Sequence, residues 1–427
     1  MTEYQGGGGR YVAPSLFWGR VQGAGKLYSV PLLGILTLLL LILAGCDTGD
    51  TRPEMSLWGP VVTLGEAEQS AAPALSVLPG WVAAFWVGAD DTGVHQDTRL
   101  VDVGGLSERV VLPLPPVHPY GQQSAPASAG NTHLLWLDAG DDNLPRLVNA
   151  LITPEMTVDR GPLLVSDRRT LHYSLLPAGD GGLWVVWSGG SPAEPGLYVQ
   201  TIDGAGRSPH PRPLGVTGDW PLLAAGNGTT YLFWLNRAER QVYGGELLAG
   251  VLATQRVLVA PPDMLPGDRL LAVQAGLDQT HAYLFWTITR AAGGTETWYA
   301  AGSPAGGDWS PPARLGIVTT LDTPFTTGFN SGTARQSADG TEWLAWASPA
   351  PAQYAVLPVA AAWGKRLIVV YFQGGRVVGW QDIAATNGLI GTPLLAADRD
   401  LHLYLAWADP QPAGYAALRF TTTRQGG

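Results

Sequence analysis

The stretch Pro221–Trp234, PLLAAGNGTTYLFW, has a near copy at Pro393–Trp407, PLLAADRDLHLYLAW. Each copy consists of two short apolar segments joined by a polar turn, and the second segment ends in tryptophan. Similar apolar runs end at Trp86, Trp136, Trp187, Trp234, Trp286, Trp346, Phe372 and Trp407. The first five run ends are 47 to 52 residues apart. This spacing indicates a repeating unit of about four short strands.

Such a repeat predicts an all-β protein, a β-propeller in which each repeat forms one four-stranded blade. The runs are apolar at successive positions, so we expect strands buried on both faces between neighbouring blades, with the terminal aromatic rings as core. Trp346 and Phe372 are too close in sequence to end two whole blades. We therefore expect about seven blades, with an irregular segment around Gly332–Gly364. Six or eight blades are also compatible with the repeat count.

The outer strand of each unit is recognisable by prolines, which a sheet tolerates only at its edge. Examples are RGPLLV from Arg160, SPHPRPLG from Ser208 and WSPPARLG from Trp309. The similar stretch WGPVVTLG, from Trp58, precedes the first full repeat, whereas the last repeat ends without an outer strand. We expect the N-terminal strand near residues 58–64 to complete the last blade, because this closes the ring and removes an open sheet edge.

The composition is that of a folded, acidic protein. Hydrophobic residues make up 46% of the 427 residues, and 35 acidic residues outnumber 25 basic ones, for a net charge of −10. Nucleic-acid binding depends mainly on neutralising phosphates with basic side chains. We therefore expect no nucleic-acid partner.

The single cysteine of the chain, Cys46, follows its longest apolar run. Val30–Gly45 contains no charged residue, and the basic residues Arg10, Arg20 and Lys26 precede it. This length suits the apolar region of a signal peptide better than a membrane-spanning helix. By the positive-inside rule, the residues after Cys46 lie outside the cytoplasm.

Leu43-Ala44-Gly45-Cys46 resembles the lipobox of bacterial lipoprotein signal peptides. The resemblance implies cleavage before Cys46 and a diacylglyceryl group on its thiol, so that acyl chains on Cys46 hold the protein on the extracytoplasmic face of the bacterial cell membrane. The expected domains are a signal peptide with a long N-terminal region at 1–45, removed or kept as a membrane anchor, a lipidated tether at 46–55, and a propeller at 56–427. An uncleaved signal anchor gives the same topology.

The repeat is similar to that of the BNR/sialidase-like propeller superfamily, most clearly in HAYLFWTITRAAGGTETWYAAGSPAGGDWSPPARLG from His281. Ser303, Gly307 and Trp309 match the Ser, Gly and Trp of that family's Asp-box, but Ala305 replaces its aspartate. The resemblance implies the fold rather than an activity. Sialidases use an arginine cluster, a tyrosine nucleophile paired with a glutamate, and an acidic residue, and no motif here assigns these roles.

No other pattern in the sequence carries recognisable chemistry. Two acidic groups follow inner strands, Asp90-Asp91 with Asp97 and Asp138 with Asp141-Asp142. The second, in DAGDDNLPR, has part of the oxygen-ligand set of a calcium site, but both groups fit hairpin turns better. His281 and His402 each lie five residues before the final tryptophan of a run, and this equivalence indicates a structural position. The sequence thus predicts no catalytic, metal-binding or cofactor-binding residue and no cofactor.

The functional hypothesis from sequence is therefore a binding or scaffold module for a protein partner or an envelope glycan, with enzymatic activity the less favoured choice. An assembly factor for other envelope proteins is a special case of it. The alternative is a sialidase-like or other glycan-active hydrolase. Arginines facing a Tyr–Glu pair in the central funnel would favour the hydrolase.

Overall fold

A computed structural model describes residues 58–68, 73–90, 93–102, 105–114, 120–139, 144–190, 195–226, 228–259, 264–293, 295–305, 307–315, 343–347, 355–363, 366–385, 393–400, 402–412 and 414–424. All of them belong to a compact unit that spans Glu54–Gly427. The expected signal peptide, Leu43, Ala44, Gly45, Cys46 and the tether lie outside the described residues. No helix in the described part of the chain is long and apolar enough to cross a membrane.

The described residues form seven antiparallel sheets that are the blades of a β-propeller, as the repeat predicts. We number the blades along the chain from the first complete repeat. In every blade the chain begins at the innermost strand and proceeds outward. In blades one and four, two short strands share the outermost position.

The strands are the following. Blade one has Ala74–Leu78, Trp81–Asp90, Gly93–Asp102, Gly105–Leu106 and Val110–Leu112; blade two has Tyr120–Pro126, Thr132–Ala139, Pro145–Ile152 and Val158–Leu164; blade three has Thr170–Pro177, Leu183–Gly190, Pro195–Ile202 and Arg212–Thr217. Blade four has Asp219–Gly226, Thr229–Asn236, Gln241–Leu248, Val251–Leu252 and Arg256–Val259; blade five has Arg269–Leu277, Ala282–Thr289, Thr295–Gly302 and Ala313–Leu315. Blade six has Trp343–Ala347, Leu357–Trp363, Arg366–Gln373 and Arg376–Ala385; blade seven has Leu394–Ala397, Leu403–Pro410, Ala416–Thr422 and Val62–Ala67. A single 3-10 turn, Ser128–Gly130, interrupts the strands of the described residues.

The aromatic run ends fill the core between blades, as expected. In six blades the run is the second strand, and its final tryptophan has an exposed fraction of at most 1%: Trp86, Trp136, Trp187, Trp234, Trp286 and Trp407. The packing alternates between the two faces of a strand. In blade two, for example, Leu134 and Trp136 face blade one, while Leu135 and Leu137 face blade three. A strand in a blade that packs against a neighbour on both sides must therefore be apolar at every position.

The N-terminal strand closes the ring, also as expected. Val62–Ala67 pairs antiparallel with Ala416–Thr422 as the outer strand of blade seven. Just before it, the Gly59 amide donates to the Thr422 carbonyl at 2.7 Å. The proline-containing segments are likewise outermost strands, as in Val158–Leu164 of blade two. The termini of the propeller are thus joined in one sheet.

The expectation of an irregular segment around Gly332–Gly364 is wrong for the described part of that range. Trp343–Ala347 and Leu357–Trp363 are the first and second strands of blade six, and Arg366–Gln373 is the third. The runs ending at Trp346 and Phe372 therefore belong to one blade, which explains their short spacing. The true second strand, LPVAAAW, ends at Trp363 and was overlooked because alanines replace its large apolar residues.

The strand order gives the propeller two distinct faces. The turns from first to second strand and from third to fourth strand lie on one face, here called the lower face. The turns from second to third strand, and the connections from blade to blade, lie on the upper face. The innermost strands therefore begin at the upper face, where they surround the mouth of the central channel.

Candidate functional site

A polar cluster lies at the upper mouth of the channel, between blades three and four. His172 is near the start of the innermost strand of blade three, and Asp219 begins the innermost strand of blade four. Ser188 of blade three, together with Trp220 and Arg237 of blade four, completes the cluster. We call these five residues the mouth site.

The carboxylate of Asp219 organises the mouth site. Its side chain is only 1% exposed. Oδ1 accepts hydrogen bonds from His172 Nδ1 at 2.7 Å, Ser188 Oγ at 2.6 Å and the Trp220 amide at 2.8 Å. Oδ2 forms an ion pair with Arg237 Nη2 at 2.6 Å. A buried charge without such partners would be strongly unfavourable, so these contacts fix the carboxylate and the groups around it.

These contacts also set the ionisation of Asp219. Burial raises the pKa of its carboxyl, but the hydrogen bonds and charge of His172 and the bonds from Ser188 and the Trp220 amide outweigh burial and lower the pKa to about 2. The carboxylate is therefore ionised throughout the physiological pH range. Because it accepts the proton on His172 Nδ1, it fixes the orientation of the imidazole.

Trp220 is held in an unusual conformation between His172 and Arg237. Its φ is 47°, a region that bulky side chains rarely occupy. The His172 ring centroid lies 4.4 Å from that of Trp220, and Arg237 Cζ lies 4.7 Å from the Trp220 ring centroid. Backbone strain of this kind is retained where surrounding contacts determine it, and it is concentrated at functional sites.

The rim of loops around the mouth site carries four arginines against the acidic Asp167 and Glu239, although the whole chain is acidic. Arg237 and His172 keep 48% and 34% of their side chains exposed. Arg168 and Arg169 lie in the connection that leads into blade three, and Arg240 shares the exposed turn of Arg237. The Arg169 carbonyl accepts a hydrogen bond from the Gly190 amide, which places its backbone beside the second strand of blade three. Such a rim suits an anionic ligand better than the rest of the surface does.

A second ionic cluster occupies the upper part of blade one. His95 lies between two carboxylates, with Nε2 3.1 Å from Asp90 Oδ2 and Nδ1 3.1 Å from Asp97 Oδ1, and Arg109 is 3.4 Å from Asp97. Burial raises the pKa of Asp97 more than His95 and Arg109 lower it. The expectation that Asp97 belongs to an acidic loop is therefore wrong, because Asp97 lies inside the third strand and is fully buried.

The two histidines at equivalent repeat positions have structural roles, as expected. Both follow a lower-face turn whose aspartate binds the turn and the tyrosine of the next strand. Asp278 accepts from the His281 amide at 2.7 Å and from Tyr283 Oη at 2.6 Å. In blade seven, Asp398 accepts from His402 Nδ1 at 2.8 Å and from Tyr404 Oη at 2.9 Å.

Ligand-type atoms do converge in the blade seven turn, which the sequence spacing did not suggest. Donor atoms of Asp398, Asp400 and His402 lie within 4.8 Å of one another. The hydrogen bonds within the turn already use Asp398, and Asp400 is exposed. The arrangement is accounted for as a stabilised turn. Of the other acidic residues considered from sequence, Asp138 is the penultimate residue of a strand, whereas Asp91, Asp141 and Asp142 lie outside the described residues.

The arrangement that would favour a sialidase is only partly present in the described residues. Tyr243 donates a hydrogen bond to Glu239, which raises the pKa of the tyrosine. Tyr243 is on the third strand of blade four, however, and its ring stacks on Trp234 in the interblade packing. The neighbouring Arg237 is engaged by Asp219 instead. Ser303, Gly307 and Trp309 lie in the turn between the third and fourth strands of blade five, where Trp309 bridges to Gly302.

The mouth site was not found from sequence. His172 and Asp219 are 47 residues apart, about one repeat. A signal exists in retrospect, because both lie at the same stage of consecutive repeats, at the start of an innermost strand. Equivalent positions of neighbouring blades lie side by side, so polar residues one repeat apart are candidates for such a contact.

Comparison with known proteins supports the fold. The chain matches no protein-family profile and no curated protein. Among solved structures it resembles the polysaccharide lyase Uly1, with a TM-score of 0.56 and 12% identity over 88% of this chain and 95% of that chain. It also resembles a PL25 ulvan lyase, with a TM-score of 0.54 and 8% identity over 85% and 95% of the two chains. The chain therefore shares the propeller fold of proteins described as polysaccharide lyases.

Proposed function

We propose that this protein is a glycan-binding module and that its mouth site recognises a carboxylate-bearing sugar. The observation that carries the proposal is the anchoring of two half-exposed side chains, His172 and Arg237, on the buried Asp219. An arginine held in place binds a carboxylate with less loss of side-chain entropy than a mobile one. The basic rim in an acidic protein supports the same ligand charge.

The proposal includes the membrane anchor expected from Cys46. Acyl chains on that thiol would hold the propeller within a short tether of the extracytoplasmic membrane face. Envelope and extracellular polysaccharides are found on that side of the membrane, and many carry uronic acids. The predicted location and the chemistry of the mouth site thus favour the same class of ligand.

The test is calorimetric titration of the full-length protein in detergent with trigalacturonate and with its methyl ester, which keeps the sugar but removes the charge. We expect the acid to bind and the ester to bind at least tenfold more weakly. Arg237→Gln should weaken acid binding about tenfold or more, because a hydrogen bond to a charged group contributes about 1.5 to 3 kcal/mol. Arg399→Gln, at an exposed position in the lower-face turn of blade seven, is the control and should leave acid binding unchanged. Equal binding of acid and ester, or no binding of either, would contradict the proposal and favour a protein partner.

Cleavage of the same glycan is a second candidate, favoured by the state of His172. Asp219 holds Nδ1, and Nε2 makes no hydrogen bond within the described part of the chain. A histidine oriented by a carboxylate with its other nitrogen available has the arrangement of a general base. New reducing ends or unsaturated uronate formed by the protein, and lost in His172→Gln, would establish turnover. Binding without either product would exclude cleavage of that glycan and support the binding module alone.

A further inference from the structure

An open cleft of about 600 Å³ lies on the lower face of blade three, the face opposite the mouth site. One wall is the turn from first to second strand, with Ala178, Gly179 and Asp180, and the other is the turn from third to fourth strand, up to Pro209. Trp184 lies between the two turns and lines the cleft. This volume is within the range of small-molecule sites.

Trp184 occupies a repeat position that other blades use for a structural bond. Three residues before the final tryptophan, blades five and seven have Tyr283 and Tyr404, whose hydroxyls bind the aspartate of the preceding turn. Blade three has Trp184 instead, and its indole makes no hydrogen bond within the described residues. It remains half-buried, so part of the indole is available in the cleft.

The aspartate of this turn, Asp180, correspondingly accepts fewer hydrogen bonds than its equivalents in blades five and seven. Asp180 Oδ1 accepts only from the Gly182 amide, at 3.0 Å, and Oδ2 has no hydrogen-bond partner in the described part of the chain. By contrast, Asp278 and Asp398 each accept from backbone and side-chain donors. The replacement of tyrosine by tryptophan thus leaves a carboxylate oxygen at the cleft wall.

The opposite wall is polar and internally fixed. Asp203 accepts from the Ala205 and Arg207 amides and from Arg207 Nε, all at 2.8 to 3.0 Å. Ser208 is positioned by Gln200. The carboxylates of Asp180 and Asp203 against one arginine give the cleft a formal charge of −1, the opposite preference to that of the basic rim.

We propose that this cleft is a second glycan site that takes a neutral, β-linked hexopyranose. The axial C–H groups of such a ring form a flat apolar face that packs on an aromatic side chain. Its equatorial hydroxyls can donate to the Asp180 carboxylate and exchange hydrogen bonds with Thr201 and Ser208. The negative wall disfavours the acidic sugars expected at the mouth site. The inference does not depend on the function proposed for that site.

The test is calorimetric titration of the full-length protein in detergent with cellotriose and with N,N′,N″-triacetylchitotriose, both of which are neutral. Binding of either is expected to fall at least about tenfold in Trp184→Ala and in Asp180→Asn, and to be unchanged in Arg237→Gln. Asp180→Asn keeps an acceptor for the Gly182 amide, so it tests recognition even where Trp184→Ala fails to fold. Absence of binding for both trisaccharides, or binding unaltered in Asp180→Asn and in a folded Trp184→Ala, would overturn the inference. Failure of acidic binding at the mouth site leaves these outcomes unaffected.

Discussion

At the scale of single residues, Asp219 is the side chain that holds the other groups of the mouth site in place. It orients the His172 ring, pairs with Arg237 and supports the strained backbone of Trp220. Those residues are polar groups at the ends of strands, where no hydrophobic periodicity marks them. A single sequence therefore predicts the strands around the mouth site but not the contact between their ends.

The acid dependence of stability tests the role of Asp219. With a pKa of about 2 in the folded protein and about 3.9 when unfolded, the ionised carboxylate stabilises the fold by about 2 to 3 kcal/mol at neutral pH. The pKa is lowered on folding, so this contribution is present above about pH 4 and disappears as the pH falls through about 2. Asp219→Asn removes it.

We expect the difference in unfolding free energy between wild type and Asp219→Asn to be nearly constant above about pH 5 and to shrink towards pH 2. Urea denaturation at a series of pH values measures it. Asp400→Asn, at an exposed position on the lower face, serves as the control and should show a much smaller difference. A difference independent of pH for Asp219→Asn would show that its carboxylate is not held as described.

At the scale of strands, ring closure by Val62–Ala67 should contribute strongly to stability. Leu64 of this strand is 1% exposed and packs in the core between blades seven and one. Leu64→Ala is expected to lower the free energy of unfolding by about 2 to 5 kcal/mol, because it removes buried methyl groups and leaves a cavity. Chemical denaturation measures the change.

Val61 provides the matched control for this substitution. It lies beside the same strand but is 45% exposed, so Val61→Ala should change the free energy by no more than about 0.5 kcal/mol. Equal effects of the two substitutions would mean that the N-terminal strand does not complete blade seven.

The strands also show which parts of the fold can be derived from sequence. The space between blades requires a large side chain at the end of each second strand, so the terminal tryptophans predict the core. Proline lacks an amide hydrogen and is tolerated only in an edge strand, so the prolines predict the outer strands, including the one that closes the ring. Blade six was mispredicted because Leu357–Trp363 is rich in alanine, whereas the flanking runs have the large residues typical of second strands elsewhere. The size of the apolar residues in a run therefore predicts its place in the blade less well than the spacing of the repeat does.

At the scale of the whole molecule, Cys46 is predicted to determine where the propeller resides. Cys46→Ala should abolish incorporation of labelled palmitate, because no thiol would remain to carry an acyl chain. Thr48→Ala, two residues further on, is the control and should remain lipidated. A wild-type protein that takes up no palmitate, or a Cys46→Ala protein that still does, would contradict lipidation at Cys46.

The two proposed ligand sites would give the propeller opposite specificities on opposite faces. The mouth site presents Arg237, whereas the cleft of blade three is lined by two carboxylates, one arginine and an indole. A polymer that carries both neutral and acidic sugars would meet a matching surface on either face. The two faces of a propeller can bind different ligands because their loops vary independently on a rigid ring of blades.

Hydrogen–deuterium exchange of the full-length protein, with and without trigalacturonate, tests whether the mouth site binds acidic glycans. We expect slower exchange on binding in the upper-face segments around His172, Asp219 and Arg237, and unchanged exchange in the lower-face turns of the same blades. Protection confined to other blades, or no protection at saturating ligand, would contradict recognition of acidic glycans at the channel mouth.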